Sequence, residues 1–309
     1  MSLEQVHGQA EGVFYLRRVL GGNLKLALLM EGPSGVGRRF SIVEAARTLF
    51  DDDAQSYQLS QQIHPDFQVV KPENDRDIKV EAVRDLVEKT GFQPMRAPLK
   101  FLVIDGADRM TPAAGNALLK VLEESPEKVR FFLLAEHPDR VLPTIRSRCA
   151  SVRYNKLPEA FIVSHLMKHT EDSVKALVCA RMAEGSLGKA LLYLASGRLA
   201  LREKMLRLLQ LGPQKDLPSL FSTVDTAGSD LLLGLTFLDQ LLRDLVVLPH
   251  DPSQLINVDL LNELTRVRET LGSSNMETLR EGTRQLRHVS SRPINLAFHL
   301  KTLLANSFH

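Results

Sequence analysis

Apolar and polar residues follow two different periods along this chain, and residues 101–149 carry the clearest pattern. Residues 101–104, Phe-Leu-Val-Ile, form an uninterrupted apolar run that ends on Asp105. Such a run predicts a strand buried on both faces, with a carboxylate at its carboxyl end. Thr111-Pro112 predicts a helix start, with Thr as the cap and Pro in the first helical position. Ala117, Leu118, Val121 and Leu122 share one face of that helix. Residues 131–135 predict a second buried strand. Strand, helix and strand in this order make a βαβ unit, which implies a parallel sheet.

The flanking sequence extends the same pattern. Val13, Leu16, Val19 and Leu20 give residues 1–20 an amphipathic helical face, ended by Gly21-Gly22-Asn23. Residues 24–30 are apolar apart from Lys25 and predict a buried strand. A helix is expected from residue 38 to about 50. Residues 51–77 are polar and less regular, with 63–70 as a strand entry. Val80, Val83, Leu86 and Val87 mark a short helix, and Gly91 and Pro94 punctuate the approach to the central strand. His64 and His137 each precede a proline; lone histidines there are expected to be structural rather than metal ligands.

From residue 156 onward the periodicity is helical. Phe161, His165 and Leu166 fall on one face, and Val174, Leu177 and Val178 on another helix. Gly185 and Gly188 are expected to break between helices, and Ser196-Gly197 to begin a linker. Residues 231–248, the group Leu260, Leu261, Leu264 and Val267, and residues 296–304 form further apolar stripes. These predict core packing or helix association, with no catalytic constellation among them. The charged run 280–288 is read as a solvated face rather than a DNA site. The expected organisation is an α/β domain over residues 1–155, a small helical lid over 156–200 and an all-α domain over 201–309.

Composition narrows the class without naming a chemistry. The chain has 309 residues, 25% charged and 44% hydrophobic, an ordinary globular mix for two or three domains. A net charge of +2 supplies no strong global field for nucleic acid, although local patches are compatible with it. No apolar run approaches the ~20 residues of a membrane span, and the first residues lack a signal pattern. Two cysteines, Cys149 and Cys179, are too few for a disulfide framework or a four-thiolate zinc site. A cytoplasmic protein is expected.

Residues 32–39, Gly-Pro-Ser-Gly-Val-Gly-Arg-Arg, lie between a predicted strand and a predicted helix. This is the layout of a phosphate-binding loop, in which Gly32, Gly35 and Gly37 would let backbone N–H groups converge on phosphate oxygens at a helix N-terminus. A Gly-rich turn with no ligand is the competing account. A working loop also needs a Lys for the β- and γ-phosphates and a Ser or Thr hydroxyl for Mg²⁺. Those positions hold Arg38 and Arg39. Arg38 keeps the charge but not the shape of Lys, and Arg39 has no oxygen. Asp105 either holds Mg²⁺ or caps the next turn. After it, where an active ATPase would carry a Glu, stand Gly106, Ala107 and Asp108. Three chemically separate losses predict a nucleotide-type fold that does not hydrolyse nucleotide.

Several of these positions together resemble the clamp-loader subunits of bacterial DNA polymerase III, a branch of the AAA+ superfamily, and among them the delta-prime type. They are the 32–39 loop, His64-Pro65-Asp66, residues 105–108, Asn116-Ala117-Leu118-Leu119-Lys120 with Leu122-Glu123-Glu124, and Ser147-Arg148-Cys149. The likeness covers roughly residues 10 to 195 and weakens beyond, where only residues 294–298 are similar to the family's last collar helix. The resemblance implies an α/β AAA+ domain, a helical lid and an all-α collar that oligomerises. It implies that Arg148 is an arginine finger acting in trans on a neighbouring ATP site, an effect worth ~10³–10⁵ in rate in well-studied cases. The residue alone, without the resemblance, favours a strand-closing salt bridge.

The implied partners are gamma/tau-type ATPase subunits and a delta subunit in a hetero-pentamer, with the sliding clamp and primed DNA reached through the assembly and no membrane. No cofactor is expected to be required; ATP binding at Gly32, Gly35, Gly37, Arg38, Arg39 and Asp105 is open but not expected. Relatives often carry a four-cysteine zinc module in the region matching residues 50–64, which has no Cys here, so no metal is expected. The nucleotide-sensing Arg of the lid is replaced by Gly188 in Gly185-Ser186-Leu187-Gly188-Lys189. The competing assignments are an ATP-hydrolysing gamma/tau-type subunit and another AAA+ DNA-replication protein.

Overall fold

The computed structural model describes residues 2–22, 27–49, 59, 64–73, 77–124, 127–195, 197–211, 228–289, 299–300 and 302–303. The chain forms two compact units, residues 1–158 and 159–309.

The first unit is built on five parallel strands: β1 (Ala27–Glu31), β2 (Phe67–Val70), β3 (Lys100–Asp105), β4 (Val129–Ala135) and β5 (Cys149–Arg153). Their spatial order is β2-β3-β4-β1-β5. Successive side chains point to opposite faces, and each face feeds a separate core. Leu28, Met30, Phe101, Val103, Phe132 and Leu134 pack against helices α1 (Ala10–Leu20) and α2 (Arg38–Arg47). Leu29, Leu102, Ile104, Leu133 and Ala135 pack on the other side against α3 (Val80–Glu88), α4 (Pro112–Glu124) and the short α5 (Pro143–Arg146). Every residue of β4 and the first five of β3 are buried, as continuous apolar runs in a covered parallel sheet require. Thr111 does cap α4: its Oγ1 accepts from the Ala114 N–H at 3.2 Å.

Element boundaries differ from expectation in physically simple ways. The strand entry at 63–70 begins only at Phe67, because residues 64–66 form a turn in which the His64 Nδ1 accepts from the Asp66 N–H. Helix α2 stops at Arg47 rather than near residue 50. Residues 24–26 of the first predicted strand and most of 50–64 lie outside the described residues, as do residues 294–298.

The second unit is helical: α6 (Glu159–Leu166), α7 (Ser173–Met182), α8 (Leu187–Ala195), α9 (Leu199–Leu211), α10 (Gly228–Val247), α11 (Leu261–Leu271) and α12 (Ser273–Val289). Val174, Leu177 and Val178 do share one helix, α7, although Val174 is half exposed and the helix buries Ala176, Val178, Cys179 and Met182. Two expectations need correction. Leu261 is exposed, so the α11 stripe is Leu264, Val267 and Leu271. Gly188 lies inside α8 rather than between helices, since Gly185 at φ +90° already makes the break.

Within this unit the helices before residue 200 are stitched to those after it. Gln240 donates to the Met182 carbonyl at 2.9 Å, Arg181 reaches the carbonyls of Ser253 and Leu255, and Tyr193 meets Phe237 edge-on at 5.4 Å. Fully buried Asp244 accepts from the Ile256 and Asn257 backbone N–H groups. The 280–288 run is more than a solvated face: Arg280, Arg284 and Arg287 of α12 all lie within 3.6 Å of the Asp239 carboxylate on α10.

Candidate functional site: a glycine loop and a distant arginine

The loop after β1 runs over the carboxyl end of the sheet, where α/β folds place ligands. Gly32 has φ +147°, and a Cβ there would lie 2.2 Å from the Tyr154 carbonyl oxygen, so no side chain fits. Its N–H donates to Ala135 at 3.1 Å, while Tyr154 donates to Glu31 at 2.7 Å. The end of β1 is thereby knitted to both neighbouring strands. Gly37 is left-handed, at φ +104°, in the cap position of α2. Gln9 fastens the loop from behind, donating to the Val36 carbonyl at 3.2 Å and bonding both ways with Asn155.

Gly32, Gly35, Gly37, Arg38, Arg39 and Asp105 therefore converge. Two guanidinium groups dominate the charge there. Arg38 is 7% exposed, and the nearest carboxylate, Glu136 just past β4, is 3.8 Å away and half exposed. Its Nη1 has no hydrogen-bond partner among the described residues. Burial pushes the Arg38 pKa down, opposed by Glu136, Asp105 and Asp108. Arg39 turns toward Asp105, with Nη1 3.7 Å from Oδ2.

The Asp105 carboxylate faces the Arg39 guanidinium, Arg39 rather than a hydroxyl-bearing residue follows Arg38, and Gly106 follows Asp105. Among the described residues there is no group of three or more His, Cys, Asp or Glu side chains able to hold a metal ion. No described helix is long and apolar enough to cross a membrane.

Behind the loop lies a contact that sequence reasoning missed. The Ser41 hydroxyl donates to the Arg38 carbonyl at 2.7 Å and lies 2.6 Å from the Tyr154 hydroxyl. Ser41 has one hydrogen, so Tyr154 is the donor of that second bond. Burial pushes the Tyr154 phenol up to about 12. A second missed anchor is Asp66, fully buried, whose carboxylate accepts from the N–H groups of Met95, Arg96 and Ala97 at 2.7–3.0 Å. His64-Pro65-Asp66 was visible as a motif, but its partners lie 29 to 31 residues away, with no local signal linking them.

Arg148 is not part of the loop cluster. It directly precedes β5, whose first residue Cys149 is level with Ala27 and whose last, Arg153, is level with Glu31. Five strand residues rise roughly 16 Å, so Arg148 sits at the amino end of the sheet and the glycine loop at the carboxyl end. Its Nε and Nη2 both donate to Glu123 Oε1 on α4, and its Nη1 to the Thr144 carbonyl and the Ser147 hydroxyl. The pairing with Glu123 was not foreseen, although Leu122-Glu123-Glu124 was among the motifs noted.

A parallel sheet covered on both faces, a glycine loop between β1 and a helix, and an Asp ending β3 define an AAA+ nucleotide-type domain, here followed by a helical region. Over its whole length the chain superposes on a DNA polymerase III gamma subunit-related protein from Thermotoga maritima, with a TM-score of 0.58, 18% identity and 99% of that chain covered, a likeness of fold. Residues 13–158 match the family described as DNA polymerase III, delta subunit. The chain is 30% identical over 266 residues to DNA polymerase III subunit delta-prime of Escherichia coli, covering 82% of this chain and 79% of that one. It is 26% identical over 211 residues to Replication factor C subunit 5 of Arabidopsis thaliana, covering 65% of this chain and spanning about half, 54%, of that relative. The chain belongs to the delta-prime family of DNA polymerase III subunits, the clamp-loader subunits of DNA replication.

Proposed function

We propose that this chain is a non-hydrolysing clamp-loader subunit that presents Arg148 to the ATP site of a neighbouring gamma/tau-type subunit. The observation that carries the proposal is the separation of Arg148 from the chain's own glycine loop by the depth of the sheet. A guanidinium there cannot serve phosphate bound in cis, but it stands at an outer edge of the domain. The loop supports the other half of the proposal, because Arg39 against Asp105 and the absence of a hydroxyl remove what Mg²⁺ would need. No cofactor is required in this account. The subunit would act in the cytoplasm within a hetero-pentamer containing a delta subunit, and would reach the sliding clamp and primed DNA through that assembly. Residues 156–200 would serve as the lid and 201–309 as the collar.

The chemistry asked of Arg148 is charge stabilisation. As the γ-phosphoryl group transfers, negative charge spreads over its oxygens, and an always-charged planar fork aimed at them lowers the barrier. Arg148→Ala in the reconstituted complex is expected to lower clamp- and DNA-stimulated ATP turnover and the clamp-loading rate on the order of tenfold or more. Unchanged rates would sink the proposal. An ATP-hydrolysing role for this chain itself would show as turnover by the purified subunit.

A further inference from the structure

We infer that Glu123 stows Arg148 in the free subunit, so that the arginine reaches a neighbour's phosphate only by exchanging one oxyanion for another. The inference rests on Arg148 acting in trans. Of its five N–H donors, four are engaged within the subunit: Nε–H and one Nη2–H on Glu123 Oε1, and both Nη1–H on Thr144 and Ser147. The edge carrying Nε and Nη2 is one of the bidentate faces with which arginine grips carboxylates and phosphates alike. Glu123 occupies it. The second Nη2–H is the one left without a hydrogen bond among the described residues, too few for a bidentate grip on a phosphoryl group.

The surroundings explain why Glu123 holds the arginine and why it can release it. Glu123 and Glu124 lie in the last turn of α4, which contains no basic residue. Carboxylates there oppose the helix dipole, and Arg148 relieves one of them. Lys120 attends to the other, 3.8 Å from Glu124. Yet the Arg148 and Glu123 side chains are 35% and 52% exposed. A pair this wet biases an equilibrium by only about fivefold or less. A phosphate carrying more charge, enclosed by an intersubunit surface, competes successfully for the same fork, and Glu123 would then be repelled by it. Glu123 is thus a positioning residue: it touches no substrate and acts through the state of Arg148.

The test uses Glu123→Ala in the reconstituted clamp loader with a hydrolysis-competent neighbour, assayed without clamp or DNA. Glu123 is exposed at a helix end, so the variant should fold. Basal kcat is expected to rise roughly two- to fivefold with KM for ATP unchanged, because the released group acts in the transition state. The rise should vanish in Glu123→Ala/Arg148→Ala and be mostly absent in Glu123→Asp, which keeps the carboxylate. In the isolated full-length chain, the Arg148 Nε–H proton should exchange faster with water in Glu123→Ala than in the wild type. Should Arg148→Ala lower turnover while Glu123→Ala leaves it unchanged or lowers it, stowing is wrong and the finger survives. Should Arg148→Ala change nothing, the finger itself fails and stowing fails with it.

Discussion

Arg38 offers a sharp test of how the glycine loop is held together. It stands where a working phosphate loop has Lys, and it is buried, with Glu136 the nearest carboxylate. Two opposing terms set its contribution. At 3.8 Å, Coulomb attraction to Glu136 is worth about 4 kcal/mol at an effective dielectric near 20, and less here because Glu136 is half in water. Removing a guanidinium from water costs several kcal/mol even after relaxation, and the unpartnered Nη1 recovers none of that. The lowered Arg38 pKa has the same sign, with burial outweighing the three nearby carboxylates. The net charge contribution is therefore near zero or unfavourable. Arg38→Met, which keeps the length of the stem and drops the charge, is expected to leave the stability of the first unit within about 1 kcal/mol or to raise it by up to ~3 kcal/mol. The assay is urea denaturation of the full chain followed by circular dichroism, supported by thermal unfolding, where 1 kcal/mol corresponds to roughly 2–4 °C for a unit of this size. In the reconstituted complex the same variant should leave ATP turnover unchanged. A loss of ~2 kcal/mol or more would refute the reasoning, because it would mean that the guanidinium makes a strong interaction that the geometry does not contain.

The buried Asp66 should behave in the opposite way: Asp66→Ala strands three backbone N–H groups of the 95–97 segment and is expected to cost about 3 kcal/mol in the same denaturation assay, so a loss under ~1 kcal/mol would contradict the anchoring role. Alkaline titration should destabilise the protein in a defined window. Burial raises Tyr154 from 10.0 to about 12 and Cys149 from 9.0 to about 12; groups with raised folded-state pKa values stabilise fully below their unfolded values and lose that contribution as pH climbs to the folded ones. Stability should therefore fall between pH 9 and about 12, and Tyr154→Phe should flatten the part above pH 10; an unchanged slope in that variant would show that Tyr154 is not the group responsible. By the same cause the Cys149 thiol should resist alkylation at pH 8 in the native state and react on unfolding.

Much of the first unit is legible without coordinates. Unbroken apolar runs such as residues 101–104 and 131–135 suit strands covered on both faces, and Thr111-Pro112 marks a helix start, because these signals depend on neighbours a few residues away. The glycine loop is legible for the same reason: strand, glycines and helix are contiguous, and the substitutions at Arg38, Arg39 and Gly106 can be read against the chemistry that phosphate and Mg²⁺ require. Helix faces in the second unit were harder. Val174 and Leu261 satisfy a helical period yet face water, since periodicity identifies a stripe without saying which helix lies opposite.

What chain order could not reveal are contacts between residues distant in sequence. Arg39 against Asp105, Asp66 beneath the 95–97 segment, Tyr154 on Ser41 and Arg148 on Glu123 each join elements that the sheet order β2-β3-β4-β1-β5 brings together. The types of residue at the loop were written in the sequence alone. The placement of Arg148 at the far end of the sheet from that loop followed from strand register, because a parallel sheet puts every strand's start on one side and every strand's end on the other.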